Sequence, residues 1–154
     1  MGTFTNLNYH IVFGTKYRRK IITPDIREDL YSYISGIVQN DKGHVISIGG
    51  IEDHIHILVG FHATTAVADM VRVLKANSSK WLNESRTTID KFEWQSGYAA
   101  FTVSQSMLQT VENYVKNQEQ HHQKRDFKSE LIELLERHQI TFNVAHFFED
   151  EHIG

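Results

Sequence analysis

The six residues His54-Ile55-His56-Ile57-Leu58-Val59 limit the fold of this chain more than any other stretch. Side chains alternate along a β-strand, so both imidazoles project from one face of a sheet and Ile55, Ile57 and Val59 from the other. The apolar face must be covered by helices or a second sheet. The histidine face is read as open, where a ligand can approach. Two Cα atoms two residues apart on a strand lie ~6.6–7 Å apart, close enough for both rings to reach one cation. Glu52 and Asp53, just before the pair, are placed to orient ring nitrogens or supply a carboxylate. Taken alone, the pattern fits two polar residues on a solvated sheet equally well.

Periodicity places five more core elements around this strand. Residues 5–15 alternate Tyr9, Ile11 and Phe13 against His10 and Val12, which predicts a strand ended by Gly14. Thr23-Pro24-Asp25 predicts a helix start with Thr23 as cap, proline in the first turn and acids near the positive end of the dipole. Ile26, Leu30, Tyr33/Ile34 and Ile37 then recur every three or four residues as one buried stripe, and Asn40-Asp41-Lys42-Gly43 stops it. Val45–Ile48 pairs with the histidine strand in a hairpin, with Gly49-Gly50 and Glu52-Asp53 between them.

A second helix, capped by Thr64 or Thr65, buries Val67, Met70/Val71, Leu74 and Trp81. Residues 83–94 read as a polar connection and 98–103 as a fourth strand. A third helix begins at 104–106 and continues to about Lys124. Residues 127–138 predict a shorter fourth helix, and 140–148 an extended aromatic tail. The order β-α-β-β-α-β predicts an α+β fold, a ferredoxin-like antiparallel sheet with helices on one face. The third helix and a short C-terminal helix and tail are additions. One domain over residues 1–154 is expected, with a core of about 5–124 and the C-terminal helix and tail in 125–154.

Composition removes several function classes. There is no cysteine, which excludes disulfides, thiolate zinc sites and thiol nucleophiles. No apolar run is long enough to cross a membrane and no leader pattern is present, so a cytoplasmic protein with no membrane partner is expected. The net charge of −3 argues against a broad nucleic-acid-binding surface. Yet residues 112–154 alone carry −4, and within the remainder Lys16, Arg18, Arg19 and Lys20 cluster around Tyr17. Such a spot can hold phosphate locally without making the whole protein basic.

The third helix carries Tyr114 and Gln118, four apart and sharing a polar face beside the packing stripe Leu108, Val111 and Val115. His121 lies near the same edge. A strand H-x-H followed by a helical Y-x-x-x-Q on this scaffold resembles the single-tyrosine HUH transposases of small insertion sequences, the insertion sequence two-hundred-like family. The resemblance runs from about residue 8 to 122 through five ordered motifs: NYHIVFGTKYRRK, GGIEDHIHILVGF, LKANSSKWL, WQSGYAAFTVS and VENYVKNQEQHH. Ala76-Asn77 departs from it where the family often has glycine after its Leu-Lys pair. Nothing is carried onto the acidic segment from Phe127.

This resemblance implies a DNA transposase that cleaves and rejoins single-stranded DNA at hairpin ends through a 5′-phosphotyrosine. Tyr114 would be the nucleophile. His54, His56 and Gln118 would hold Mg²⁺ or Mn²⁺, with Asp53 and His121 as supporting residues. Lys16, Tyr17, Arg18, Arg19, Lys20, Arg72, Lys75 and Lys80 would contact DNA, Tyr17 by stacking on a base. A homodimer is implied, with Tyr114 completing its own or its partner's site. The competing readings are a domesticated, non-catalytic hairpin-binding protein and a metal-dependent phosphodiesterase that uses water. A cupin-like barrel is disfavoured by two strong amphipathic helices and by the lack of a glutamate in residues 57–69.

Overall fold

The computed structural model of the chain describes residues 2–85 and 91–143. Four strands form one sheet: β1 (Leu7–Gly14), β2 (His44–Ile51), β3 (His54–Phe61) and β4 (Ala99–Thr102). Their order is β2-β3-β1-β4, every neighbour antiparallel. With α1 (Pro24–Asn40) and α2 (Val67–Ser85) between strands, this is the expected ferredoxin-like βαββαβ topology.

Alternation along the strands sends Ile11, Phe13, Ile55, Ile57 and Val59 to one face, where Leu30, Ile34, Val38, Met70, Val71 and Leu74 from α1 and α2 cover them. The α1 stripe runs Ile26, Leu30, Ile34 and Val38, with Ile37 only half-buried. On α2, Ser78 and Leu82 are buried, and the half-buried Trp81 stacks on Tyr33 of α1 at 4.5 Å between ring centroids. Thr23 stands at the N-cap of α1 in an extended conformation, but its hydroxyl bonds the Asp25 carboxylate and no helix N–H. The Thr65 hydroxyl likewise bonds Asp41 Oδ2 (2.6 Å), which ties the start of α2 to the end of α1.

The other face departs from expectation. It is not open: α3 (Leu108–Lys116), α4 (Gln118–His121) and α5 (Phe127–Arg137) cover it. Val12, Ala99 and Phe101 of the sheet pack against Phe127, Leu131, Leu134 and Leu135 of α5. Leu58 and Val103 pack against Val115 of α3. The predicted hairpin tightens to a two-residue turn at Glu52-Asp53, because Gly49 and Gly50 belong to β2. A Cβ on Gly49 would lie 1.9 Å from the Val115 carbonyl oxygen, so glycine is what lets α3 sit directly on the sheet. Part of the polar connection predicted over 83–94, and most of the tail predicted over 140–148, lie outside the described residues. Among the described residues no helix is long and apolar enough to cross a membrane.

Candidate active site

Three elements converge over the first residues of β3. The strand contributes His54 and His56, both fully buried. The α3–α4 segment contributes Tyr114 and Gln118. These two do not share one unbroken helix as the spacing predicts: Asn117 (φ −100°, ψ 28°) separates α3 from α4. The bonds Asn117 N–H to Asn113 O and His121 N–H to Asn117 O bridge the joint, so Gln118 still lies one turn beyond Tyr114, and its Nε2 donates to the Tyr114 carbonyl (3.2 Å). The third element, α5, begins at Asp126, whose carboxylate accepts from Ser129 N–H (2.9 Å) as an N-cap. Its first turn stacks Phe127 on the His54 ring at 4.1 Å and delivers Glu130, 0% exposed, into the centre.

Glu130 is the hub. Its Oε1 lies 2.9 Å from His56 Nε2, 3.1 Å from His122 Nε2 and 3.3 Å from His54 Nε2. Its Oε2 accepts the Tyr114 hydroxyl. Gln118 Oε1 faces His54 Nε2 (3.2 Å) and His122 Nε2 (3.1 Å). One ligand atom from each of His54, His56, His122 and Glu130 lies within 4.8 Å of all the others.

An outer ring of bonds aims the imidazoles. Asp53 Oδ1 accepts from His54 Nδ1 (2.7 Å), His10 Nε2 lies 2.7 Å from His56 Nδ1, and the Arg125 carbonyl accepts from His122 Nδ1 (2.9 Å). All three rings therefore turn their Nε2 atoms inward.

The protonation states follow from burial and these contacts. Burial opposes a charge on His54, but the hydrogen bonds to Asp53 and Glu130 outweigh it and lift the ring to about 9. Burial lowers His56 to about 4, and burial with repulsion from His56 lowers His10 to about 3, so both are neutral at pH 7. Burial also disfavours the Glu130 carboxylate, yet bonds from His122, His54 and His56 hold it far below the usual range. Tyr114 is raised by burial and then by the charge of Glu130, so the resting side chain is a phenol.

His121, expected as a supporting residue, packs its ring on Tyr114 at 4.7 Å, while the inward position belongs to His122. Three groups of the site were not singled out from sequence: the inward His122 and Glu130, and His10 behind His56. Each left a signal. His10 alternates within β1, His122 is four residues beyond Gln118, and Glu130 is a carboxylate inside the stripe Phe127, Leu131, Leu134.

The basic residues lie elsewhere. Lys16, Arg72, Lys75 and Lys80 line a cavity of about 750 Å³ beside α2, together with Lys91, Trp94 and Tyr98. Lys75 Nζ donates to the carbonyls of Gln95 (2.8 Å) and Gly97 (2.6 Å), which fastens that segment to α2, and burial lowers it to about 8. Lys16 pairs with Glu93 at 3.4 Å and Arg72 with Asp69 at 3.8 Å, both near the surface. Tyr17 has φ 59° and is 37% exposed, with Lys16 and Arg19 over its ring at 5.4 and 6.0 Å.

A fold and a site of this kind define an α+β protein with a tyrosine beside a buried histidine cluster. Residues 3–118 match the family described as "Transposase IS200 like", and the chain belongs to that family. It is 23% identical over 122 residues to the ISDra2 transposase TnpA of Deinococcus radiodurans, covering 76% of this chain and 87% of that one. It is 29% identical over 119 residues to the transposase of insertion sequence element IS200 from Salmonella typhimurium, covering 73% and 77%. Among solved structures, a Deinococcus radiodurans R1 protein assigned as a transposase superposes with TM-score 0.61 at 22% identity, over 77% of this chain and 95% of that one. A REP-associated tyrosine transposase bound to a REP hairpin gives 0.57 at 10% identity, over 75% and 70%. The family match ends at Gln118, so α5 and Glu130 lie beyond it.

Proposed function

We propose that this chain is a DNA strand transferase that cuts and rejoins single-stranded DNA at the hairpin ends of an insertion sequence, acting in the cytoplasm on the cell's own DNA. The observation that carries the reading is the meeting, around one buried point, of a tyrosine hydroxyl with the inward nitrogens of His54 and His56 and the amide oxygen of Gln118. Imidazole nitrogens and an amide oxygen suit a divalent cation, which would take the place of the His54 Nε2 proton, and the outer bonds from Asp53 and His10 keep the rings aimed at it. His54, His56 and Gln118 would hold Mg²⁺ or Mn²⁺. Such an ion supplies charge neutralisation at a non-bridging phosphate oxygen.

Tyr114 attacks the scissile phosphorus: its oxygen forms the new P–O bond as the 3′ oxygen departs, the phenolic proton passes to solvent, and the departing oxygen takes up a proton from solvent. The products are a 5′-phosphotyrosine and a free 3′-hydroxyl. Because a phosphodiester is exchanged for a phosphodiester, the reverse attack by a 3′-hydroxyl rejoins DNA without a nucleotide cofactor. The active form is read as a homodimer. Tyr114 already stands beside its own histidine pair within one chain, so exchange between subunits would require α3 and α4 to leave β2. The DNA runs along the basic residues 16–20 and the cavity beside α2, where cations alternate with Trp94 and Tyr98.

The test is a labelled single-stranded hairpin incubated with the protein and Mn²⁺. A protein–DNA adduct that survives denaturation is expected. Release of free 5′-phosphate with no adduct would mean a hydrolase, and hairpin binding with no cleavage a non-catalytic binder. Alanine at Lys16, Arg19 or Lys20 is expected to weaken hairpin affinity alike for all sequences and to reduce its salt slope by about one for each phosphate no longer neutralised. An unchanged slope in all three would remove that surface from the reading.

A further inference from the structure

We propose that Glu130 is itself a ligand of the divalent ion, facing it through Oε1 while Oε2 keeps the Tyr114 hydroxyl alongside, and that His122 joins the same site. This rests on the metal reading above and extends it to a helix outside the matched family region. The hydrogen-bonding geometry calls for positive charge at this point, and protonating His54 alone leaves His122 unsatisfied. The Arg125 carbonyl can only accept, so His122 Nδ1 must carry a proton, and the lone pair of a neutral ring would point from Nε2 at the oxygens of Glu130 and Gln118. His54 repeats the problem: Nδ1 donates to Asp53, and Nε2 faces the same two oxygens.

His56 alone also has a satisfied metal-free tautomer, accepting from His10 at Nδ1 and donating to Glu130 at Nε2; with the proton on Nδ1 it donates to His10 instead and turns its Nε2 lone pair to the ion. Protonating both His54 and His122 would place two like charges on rings 4.5 Å apart. A single divalent ion serves both lone pairs and both oxygens at once.

The dimensions come within about half an ångström of what one ion needs. Donor atoms ~2.1 Å from a six-coordinate ion lie ~3.0–4.2 Å from one another, and the four donors here lie within 4.8 Å. A carboxylate also changes the character of the site. It removes one unit of net positive charge, and with three imidazoles it makes a donor set better suited to Mn²⁺ or Zn²⁺ than to Mg²⁺. Bridging from ion to phenol, it would tie the nucleophile to the metal within one chain.

The experiment is Mn²⁺ titration of the full-length protein without DNA, followed by the electron spin resonance of free Mn²⁺. Wild type is expected to bind one ion per chain. Glu130→Gln should bind it at least tenfold more weakly, and Glu130→Asp should recover part of the loss. A second arm needs no variant: with carboxylate-¹³C glutamate, the bound Mn²⁺ of the wild type should show a ¹³C coupling in its spin-echo spectrum. Mn²⁺ bound by wild type with no ¹³C coupling, or bound equally well by folded Glu130→Gln, would overturn the assignment and leave the histidine–glutamine site standing. If wild type takes up no Mn²⁺ at all, the metal reading itself fails.

Discussion

Tyr114→Phe is expected to abolish the covalent protein–DNA adduct while leaving hairpin binding intact. The substitution removes one oxygen and keeps the ring, which packs against His10, His56 and His121 at 6.1, 5.7 and 4.7 Å. Glu130 loses one hydrogen bond but keeps its contacts to His54, His56 and His122, so the buried carboxylate is not orphaned. The cost in stability should stay near the ~1 kcal/mol of an ordinary hydrogen bond, small against the ~5–15 kcal/mol of a typical domain. Loss of the proposed nucleophile is a different order of effect. Strand cleavage should fall by at least ~10³-fold, as when a covalent catalyst is deleted from an active site. Adduct formation by the Tyr114→Phe variant at more than a few per cent of the wild-type rate would show that another group attacks. His54→Ala, measured beside it, should lose cleavage and metal affinity together.

Gly49→Ala should be damaging out of proportion to one added methyl group. Its Cβ would lie 1.9 Å from the Val115 carbonyl oxygen and 2.9 Å from the carbonyl carbon, which are backbone atoms of α3 and cannot rotate away. Relief requires moving α3 off β2, and Tyr114 is the neighbouring residue on that helix. A displacement of about 1 Å of a catalytic group can cost ~10²-fold in rate. Overpacking of this kind destabilises by ~1–3 kcal/mol. Both effects are expected in Gly49→Ala, read by denaturant midpoint and by cleavage rate.

Gly36→Ala on α1 is the matched comparison. Nothing lies within 4 Å of its added Cβ, and alanine in a helix interior should stabilise by ~0.5–1 kcal/mol with no loss of activity. Equal behaviour of the two variants would show that α3 does not rest on β2 as described.

The core sheet was readable because its signals are local. Period-two alternation in β1 and β3, and the three-to-four spacing in α1 and α2, name the faces that pack, and turn residues separate them. The pair His54 and His56 was equally plain, since alternation alone puts both on one side. Legibility declined where an element's environment came from far along the chain. Gly49-Gly50 read as a turn because glycine punctuates loops, yet Gly49 answers to the approach of α3, more than sixty residues later. The break at Asn117 was hidden by an uninterrupted helical pattern. Asp53 was placed from adjacency and does meet His54, whereas His121 and His122 could not be told apart without knowing the twist of the joint at Asn117.

Sequence by itself determined the βαββαβ order and the split of the strands into an apolar and a histidine face, and it offered Tyr114, His54, His56 and Gln118 as the candidates on which the proposed site is built. Each follows from spacing within a single element or from five motifs in order. Only the tertiary structure decided that the histidine face is buried, and that the C-terminal helix covers it and inserts Glu130 between the imidazoles and the phenol. Burial is a property of what packs against a residue, not of the residue's own spacing. A carboxylate in an apolar stripe shows only that a partner must exist. Naming the partner required bringing residues 74 and 76 positions apart, His56 and His54 with Glu130, into contact.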